Sequence, residues 1–422
     1  MANFENLEAY MLALGGKAQS AANALRLASD EQRSSAIRAM ANEVRKASAA
    51  IEAANALDMK NAQAKGISPA MLDRLALNAE RIESMAAGLE AVAGLPGTVG
   101  TEDERWTRPN GLIIAKVRTP IGVIGMIYES RPNVTADAAS LTLKSGNACI
   151  LRGGSEALQS NTAIHAALVK GLAAAGLPET CVQYVATTDR AAVGHMLAGL
   201  GGVIDLIIPR GGKGLVARVQ QDARVPVLAH LEGRNHTYVH ADANPDMARE
   251  IILNAKMRRT GICGSTETLI LDQGSAPLLP MLAEALDSVG CALRGDAAAQ
   301  KLSDIITPAA DEDFCTEHLD AILNIKIVDD IDAALAHIAQ YGSGHTDAIV
   351  TENQAAADQF LREVDSAIVM HNTSTQYADG GEFGFGAEIG ISTGRMHARG
   401  PVGAQHLTSY KYQVLGTGQV RP

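Results

Sequence analysis

From residue 121 onward the chain alternates short apolar runs with helical stretches, and that alternation narrows the fold more than any other feature. IGVIGMI (121–127) reads as a buried strand, 136–144 as a helix, ACILRGG (148–154) as strand then turn, and 157–175 as a helix. CVQYVA (181–186), a helix from Arg190, VIDLIIPRGG (203–212), a helix from Gly214 and VPVLAH (225–230) continue the pattern. A second block follows His236: HTYVHAD (236–242), a helix over 247–257, ETLILD (267–272), a helix from Ala276 and a strand over 322–328. A helix over 331–340, DAIVT (347–351), a helix over 354–364 and SAIVMHN (366–372) complete it. Strands joined through helices predict βαβ units and parallel sheets, an α/β fold class.

Outside these blocks the patterns differ. Residues 1–93 read as helices only, with Ser29 and Gln32 spaced as a capping box. The 106–120 stretch carries an Asn110-Gly111 turn signal and reads as an extended arm or hairpin; an oligomer contact and a plain surface connection both suit it. LTSYKYQVLG (407–416) reads as a last strand. The 422 residues exceed what one core serves, so two or three domains are expected. Net charge is −11 and aromatics are 3%, which disfavours a phosphate-backbone or base-stacking surface, so no nucleic-acid partner is expected. No apolar run is long enough to span a membrane, and the N-terminus lacks a basic leader. Five scattered cysteines without a CxxC pair indicate neither a disulfide framework nor a metal site, so the expected setting is a reducing cytoplasm.

One of those cysteines sits in unusual company. NAKMRRTGICGSTETLI (254–270) places Cys263 in a glycine-flanked turn between a helical run and an apolar run. Glycines let a backbone approach a bound molecule closely, and Arg258 and Arg259 upstream suit a thiolate. Locally, a buried inert thiol is the commoner explanation.

The loops at the strand ends carry cations. In open α/β sheets ligands bind beyond the carboxyl ends of strands. Those ends here are 128–133 with Arg131 and Asn133, 152–155 with Arg152, Gly153 and Ser155, and 209–213 with Arg210, Gly211, Gly212 and Lys213. Such residues suit a phosphorylated ligand, although neither a P-loop nor a GxGxxG fingerprint is present. The Gly-rich tail 381–403 reads either as flexible connection or as an anion-binding loop, through Ser392, Thr393, Arg395, His397 and Arg399.

Taken together, GVIGMIYESRPNVTADAASLTLKSGNACILRGGSEA (122–157), DLIIPRGGKGL (205–215), the Cys263 turn and STGRMHARGPVG (392–403) resemble the gamma-glutamyl phosphate reductase family, a branch of the aldehyde dehydrogenase superfamily. The resemblance runs over nearly the whole chain. It implies an aldehyde-dehydrogenase-like architecture: a Rossmann-like NADP-binding domain (1–105 and 121–232), an αβ catalytic domain (233–400) and a small oligomerisation arm (106–120 and 401–422). It also implies NADP(H)-dependent reduction of glutamyl phosphate to glutamate 5-semialdehyde and phosphate, the second step of proline biosynthesis, in a homo-oligomer. Bifunctional relatives carry a kinase in front; here a separate glutamate 5-kinase, in transient contact, is expected.

By the same resemblance Cys263 is the nucleophile, and Asn133 with the Cys263 backbone N–H receives the oxyanion. Arg152, Gly153, Ser155, Arg210, Gly211, Gly212 and Glu317 hold the cofactor, and Arg131 with the five tail residues lines the substrate. Glu317 on its own would read as an ordinary exposed acid. Hydrolytic relatives place a glutamate where His230 stands, so deacylation by water is not expected; His230 serves as a structural histidine or moves protons. Relatives generally have proline at Thr260, asparagine at Gly264 and often cysteine at Asn235. Two other functions fit the same residues: a CoA-dependent acylating member of the superfamily, or a non-catalytic binding scaffold.

Overall fold

The capping box read at Ser29 and Gln32 closes in the computed structural model, which describes residues 6–421: Gln32 N donates to Ser29 Oγ (3.1 Å) and Ser29 N to Gln32 Oε1 (2.8 Å). It starts α2 (Asp30–Lys46), second in a helical run of α1 (Leu7–Leu27), α3 (Ser48–Ala64), α4 (Pro69–Leu75) and α5 (Ala79–Gly94). Then come β1 (Glu102–Thr107), β2 (Ile113–Pro120), β3 (Val123–Tyr128), α6 (Val134–Lys144), β4 (Ala148–Gly153), α7 (Leu158–Ala174), β5 (Val182–Tyr184), α8 (Ala191–Leu197), β6 (Leu206–Arg210) and α9 (Lys213–Asp222).

Contacts between residues divide the chain into two units: 1–229 with 384–390 and 402–422, and 230–383 with 391–401. In the first unit, β5-β4-β3-β6 form a parallel sheet. Every residue of β3 and β4 is buried, as expected of strands covered on both faces. The helices press close: a Cβ on Gly171 of α7 would stand 2.5 Å from the Met40 backbone of α2, so only glycine fits that crossing. Lys144, 1% exposed, is satisfied by Asp30 Oδ2 (3.0 Å) and Ser34 Oγ (2.7 Å). The expected strand at 225–230 reduces to one bridge, Val227 to Ile207. Pro226 O accepts from Ile207 N (2.9 Å) and Leu228 N donates to Ile207 O (3.0 Å), and Pro226 has no N–H of its own to extend the ladder.

The 106–120 stretch and the last strand meet in the same unit. β2 pairs antiparallel with β1 and with β16 (Thr408–Leu415), giving a three-stranded sheet. Tyr410, Tyr412, Val414 and Leu415 on β16 are exposed.

The second unit has a seven-stranded parallel sheet in the order β10-β9-β11-β8-β7-β12-β13. Its strands are β7 (Asn235–Val239), β8 (Thr266–Asp272), β9 (Ala292–Gly295), β10 (Thr307–Pro308), β11 (Ile322–Val328), β12 (Thr346–Val350) and β13 (Ile368–His371). Helices α10 (Pro245–Met257), α11 (Leu279–Asp287), α12 (Ala297–Gln300), α13 (Asp311–Phe314), α14 (Ile331–Tyr341) and α15 (Gln354–Glu363) connect them. β14 (Ile391–Ser392) and β15 (Gly400–Pro401) pair as a small antiparallel ladder. β9 and β10 were not expected; at four and two residues they are too short to carry an alternation signal. Among the described residues no helix is long and apolar enough to cross a membrane.

Candidate active site

The residues that follow and precede strands divide cleanly in the second unit. Cys263 lies just before β8, Asn235 opens β7, Glu317 precedes β11 and His345 precedes β12. Chemistry-bearing side chains therefore gather at the amino ends of these parallel strands. At the carboxyl ends of β7 and β12, Asp242, Asn244, Glu352 and Asn353 line a concavity with no cysteine, histidine or cation in its lining.

Cys263 is half-buried in the 260–265 turn. Asn235, wholly buried, braces that turn: its Nδ2 donates to the carbonyls of Cys263 (2.6 Å) and Ser265 (2.9 Å), and its Oδ1 accepts from Thr346 N (3.2 Å). Both of its amide N–H donors and one acceptor lone pair are thus directed at backbone. Gly233 is pressed against the same carbonyl; a Cβ there would lie 2.1 Å from Cys263 O. Gly233 N donates to Glu317 Oε1 (2.8 Å), which brings the half-buried Glu317 beside the turn. At Gly264 a Cβ would meet Thr375 O at 3.3 Å, so the small residue suits a crowded spot.

The helix leading into the turn is tied down by Gln376, which the sequence did not single out. Its Nε2 donates to the carbonyls of Ala255 (2.9 Å) and Arg259 (3.2 Å), satisfying orphan acceptors at the end of α10. Arg258, exposed, reaches Gln376 Oε1 (3.5 Å) rather than standing as a bare cation. Beneath the turn Lys256 and Glu267 form an ion pair of 2.9 Å at 0% and 2% side-chain exposure. Burial pushes the Glu267 carboxyl up to about 7, against the pull of Lys256.

The five thiols differ in environment. Burial pushes Cys149 and Cys181 up to about 12 and Cys291 up to about 11. Such thiols are inert at neutral pH. Cys263 and the exposed Cys315 remain, and Cys263 has two histidines close by. The Cys263 sulfur and one nitrogen from each of His230 and His345 lie within 4.8 Å of one another. His230 donates its Nδ1–H to Ile391 O (2.8 Å). Glu232, two residues on, sits 3.5 Å from Arg234 Nε as an ion pair.

The tail residues fall in two places. Ser392 is buried next to Ile391, which packs with Cys263 against Ala348, Ile368, Met370 and Ala378. Thr393 follows it, half-buried. Arg395 and Arg399 instead converge on Asp365: Arg395 Nη2 on Oδ2, and Arg399 Nη1 on Oδ1 at 2.7 Å. The Arg399 and Arg395 guanidiniums hold the Asp365 carboxyl below its usual range. His397, exposed, takes a left-handed backbone at φ 70°.

In the first unit the carboxyl ends of β3, β4 and β6 carry the remaining expected residues. The β3–β6 boundary is where strand order reverses, the usual ligand crevice of an open sheet. Ser130 adopts φ 45° and donates its N (2.7 Å) and Oγ (3.0 Å) to Glu156 Oε1, a strained conformation held by that carboxylate. Arg131 follows it, half-buried. Asn133, exposed, donates its Nδ2 to Asp137 Oδ2 (2.9 Å). Burial pushes the Asp137 carboxyl up to about 6, opposed by the Asn133 bond and by Arg210.

This end of the sheet also gathers cationic and glycine-flanked backbone groups. Arg152 is 7% exposed, its Nη1 on Gly153 O, and its buried Nε has no partner. A Cβ at Gly153 would lie 2.0 Å from Asn161 Nδ2, and one at Gly211 2.6 Å from Glu129 Oε2, so side chains are excluded there. Gly212, at the start of α9, donates its N–H to Glu129 Oε2 (3.1 Å), so the helix start already faces one carboxylate, and Ser155 is exposed.

Comparison with known proteins follows the same lines. The family model described as Aldehyde dehydrogenase family matches residues 10–299. Gamma-glutamyl phosphate reductase of Caulobacter vibrioides is 62% identical over 413 residues, 98% of this chain and 100% of the relative. The Bradyrhizobium diazoefficiens protein of that name is 58% identical over 423 residues, 99% and 96% of the two chains. The crystal structure of gamma-glutamyl phosphate reductase from Thermotoga maritima matches with TM-score 0.95 at 43% identity, over 98% of this chain and 100% of that one.

Proposed function

We propose, because this chain belongs to the gamma-glutamyl phosphate reductases of the aldehyde dehydrogenase family, that Cys263 is the nucleophile through which it works. The enzyme is an oxidoreductase that reduces glutamyl phosphate in proline biosynthesis with a nicotinamide cofactor. The observation that carries the Cys263 role is the brace: Asn235 and Gly233 fix the carbonyl of the half-buried cysteine, while three other thiols are silenced by burial.

As thiolate, Cys263 attacks the acyl-phosphate carbon and phosphate leaves with the bonding pair, giving a thioester. Covalent catalysis divides one hard step into two easier ones. A bound nicotinamide would supply hydride, and the Cys263 thioester carbon is the atom that would accept it. The resulting thiohemiacetal then releases aldehyde and regenerates the thiol. The Cys263 backbone N–H and Asn133 act as oxyanion donors. An acyl phosphate brings its own leaving group, so no water need be activated, and transfer to hydride rather than to water is the proposed outcome; Glu232 pairs with Arg234, and His230 donates its Nδ1–H to the Ile391 carbonyl.

NADP(H) is the proposed cofactor form. Arg152, Gly153, Ser155, Arg210, Gly211 and Gly212 bind its phosphates and adenosine ribose, and Glu317 its second ribose. Ser392 and Thr393, beside Ile391, hold the substrate, with Arg131; His397 contributes from the loop beyond. Arg395 and Arg399 reach substrate only by leaving Asp365, so their role is to hold the β14–β15 loop until substrate arrives. The β1-β2-β16 sheet is the proposed contact of a homo-oligomer, in the cytoplasm, with glutamate 5-kinase as a transient neighbour. With glutamate semialdehyde, NADP+ reduction should require inorganic phosphate and not CoA. An absolute CoA requirement would return the enzyme to the CoA-acylating class, and full activity of Cys263→Ser would remove the nucleophile.

A further inference from the structure

We propose that His230, Cys263 and His345 form a binding site for a borderline-soft divalent cation, zinc foremost, and that filling it silences the enzyme. The binding half stands on geometry; the silencing half rests on the Cys263 role proposed above. The three ligand atoms, a thiol sulfur and two imidazole nitrogens, lie within 4.8 Å of one another. In a tetrahedral zinc site the bond lengths place such atoms roughly 3.3–3.6 Å apart. Small side-chain rotations cover the difference, and Cys263, on a turn, is half-buried rather than locked in the core.

Both imidazoles are oriented as metal ligands usually are. A ligating histidine engages its second ring nitrogen in a hydrogen bond that fixes the tautomer. His230 donates Nδ1–H to Ile391 O at 2.8 Å, which makes its Nε2 the lone-pair nitrogen. His345 Nδ1 lies 2.8 Å from Thr346 Oγ1. His345 is 0% exposed and its Nε2 is buried with no hydrogen-bond partner. An unpartnered buried polar atom is costly, and a metal ion would relieve it. The two rings meet edge to face with centroids 5.0 Å apart. Thiolate and imidazole are ligands that zinc favours, and hard magnesium or calcium would not compete for them. Ala348, Ile368, Met370, Ala378 and Ile391 pack against one side of the cysteine and hold it beside the two rings.

On binding, the Cys263 S–H bond breaks, the proton goes to water and the sulfur pair forms the bond to the metal. No electrons change hands. The sulfur pair that would attack an acyl phosphate is then committed, and the fourth metal position is left to water. Residues 230, 263 and 345 lie far apart in the sequence, so no ligand spacing announces the site.

Cobalt(II) titrated into the EDTA-treated full-length protein tests this. The expected result is one equivalent bound with an intense thiolate-to-cobalt charge-transfer absorption, displaced by zinc. Cys263→Ser and Cys263→Ala should abolish the absorption, and His345→Gln and His345→Asn should weaken binding more than about 100-fold, beyond the loss typical of removing a residue that only hydrogen-bonds to a ligand. Cys315→Ser should change nothing. Zinc should block iodoacetamide labelling of Cys263 and inhibit reduction with the same dissociation constant, both reversed by EDTA. No charge-transfer band, a band that survives Cys263→Ser, or unchanged affinity in both His345 variants would overturn the site. A band that behaves as expected in an enzyme whose Cys263→Ser form still reduces substrate would keep the site and remove the silencing.

Discussion

Asn235 Nδ2 donates to the Cys263 carbonyl at 2.6 Å, so a buried amide on one strand sets the backbone of the reactive turn before another. The same group reaches Ser265 O at 2.9 Å. Asn235→Ala would leave two carbonyls unsatisfied. The expected cost is about 1–3 kcal/mol of stability, read by urea unfolding, with kcat lowered more than KM. Asn235→Asp, which keeps the shape but cannot donate, should resemble the alanine variant; wild-type kinetics in both would show that the brace does not matter.

Gly233→Ala asks for a methyl 2.1 Å from Cys263 O, so the turn must move. A displacement of about 1 Å near reacting atoms costs on the order of 100-fold in rate. Circular dichroism should be unchanged while kcat/KM falls by about that factor. A loss of less than threefold would mean that the turn accommodates the shift.

Lys256 and Glu267 test the layer beneath. Removing one partner of a buried pair strands a charge and typically costs about 3–5 kcal/mol. Lys256→Met alone should show this by denaturant unfolding, while Lys256→Met with Glu267→Leu should recover most of it. A double variant no more stable than the single one would argue that the pair carries specific structure beyond its charges.

His337 makes a statement about acid. It packs on Phe314 and Tyr341, and burial pushes it down to about 3. Unfolded, it takes up a proton near pH 6.5; folded, it resists until far lower. Its contribution is therefore present above about pH 6.5 and lost as pH falls toward 3. Each pH unit in that window removes up to about 1.4 kcal/mol. His337→Phe should flatten the stability–pH curve there; an unchanged slope would place the acid sensitivity elsewhere.

The arm sheet carries the assembly prediction. Trp106 meets Tyr412 edge to face at 6.1 Å, and Tyr410 lies under Lys116. Buried interface aromatics each contribute about 2 kcal/mol or more, so Tyr412→Lys should raise the subunit dissociation constant by on the order of 30-fold. Sedimentation velocity at falling concentration reads this directly, and an unshifted profile would move the interface off β16.

Legibility in the sequence followed the range of the signal. The 123–128 strand is a fully buried apolar run, 266–272 is a fully buried strand around an apolar Leu-Ile-Leu centre, and the capping box at Ser29 is a four-residue device. β9 and β10 were invisible because short strands on a sheet flank need little apolar sequence. The 225–230 run reads as a strand because it is apolar, and it does lie against Ile207 of β6, but with Pro226 offering no N–H the pairing stops at one bridge. In the reactive region, Cys263 stood out by its glycines, whereas Gln376 acts across more than a hundred residues of sequence. Asn235 had a faint signal, as a departure from the residue relatives carry. Arg395 and Arg399 read as anion ligands; that Asp365 already faces them depends on packing no local pattern records.

The burial of Cys149, Cys181 and Cys291 has a practical consequence for anyone counting working molecules. A thiol pushed to about 12 holds on the order of a thousandth of the thiolate of an ordinary cysteine. In a Cys315→Ser background a stoichiometric electrophile should therefore titrate one sulfur per chain, and label incorporated per mole becomes an active-site assay that needs neither unstable acyl phosphate nor a coupled readout.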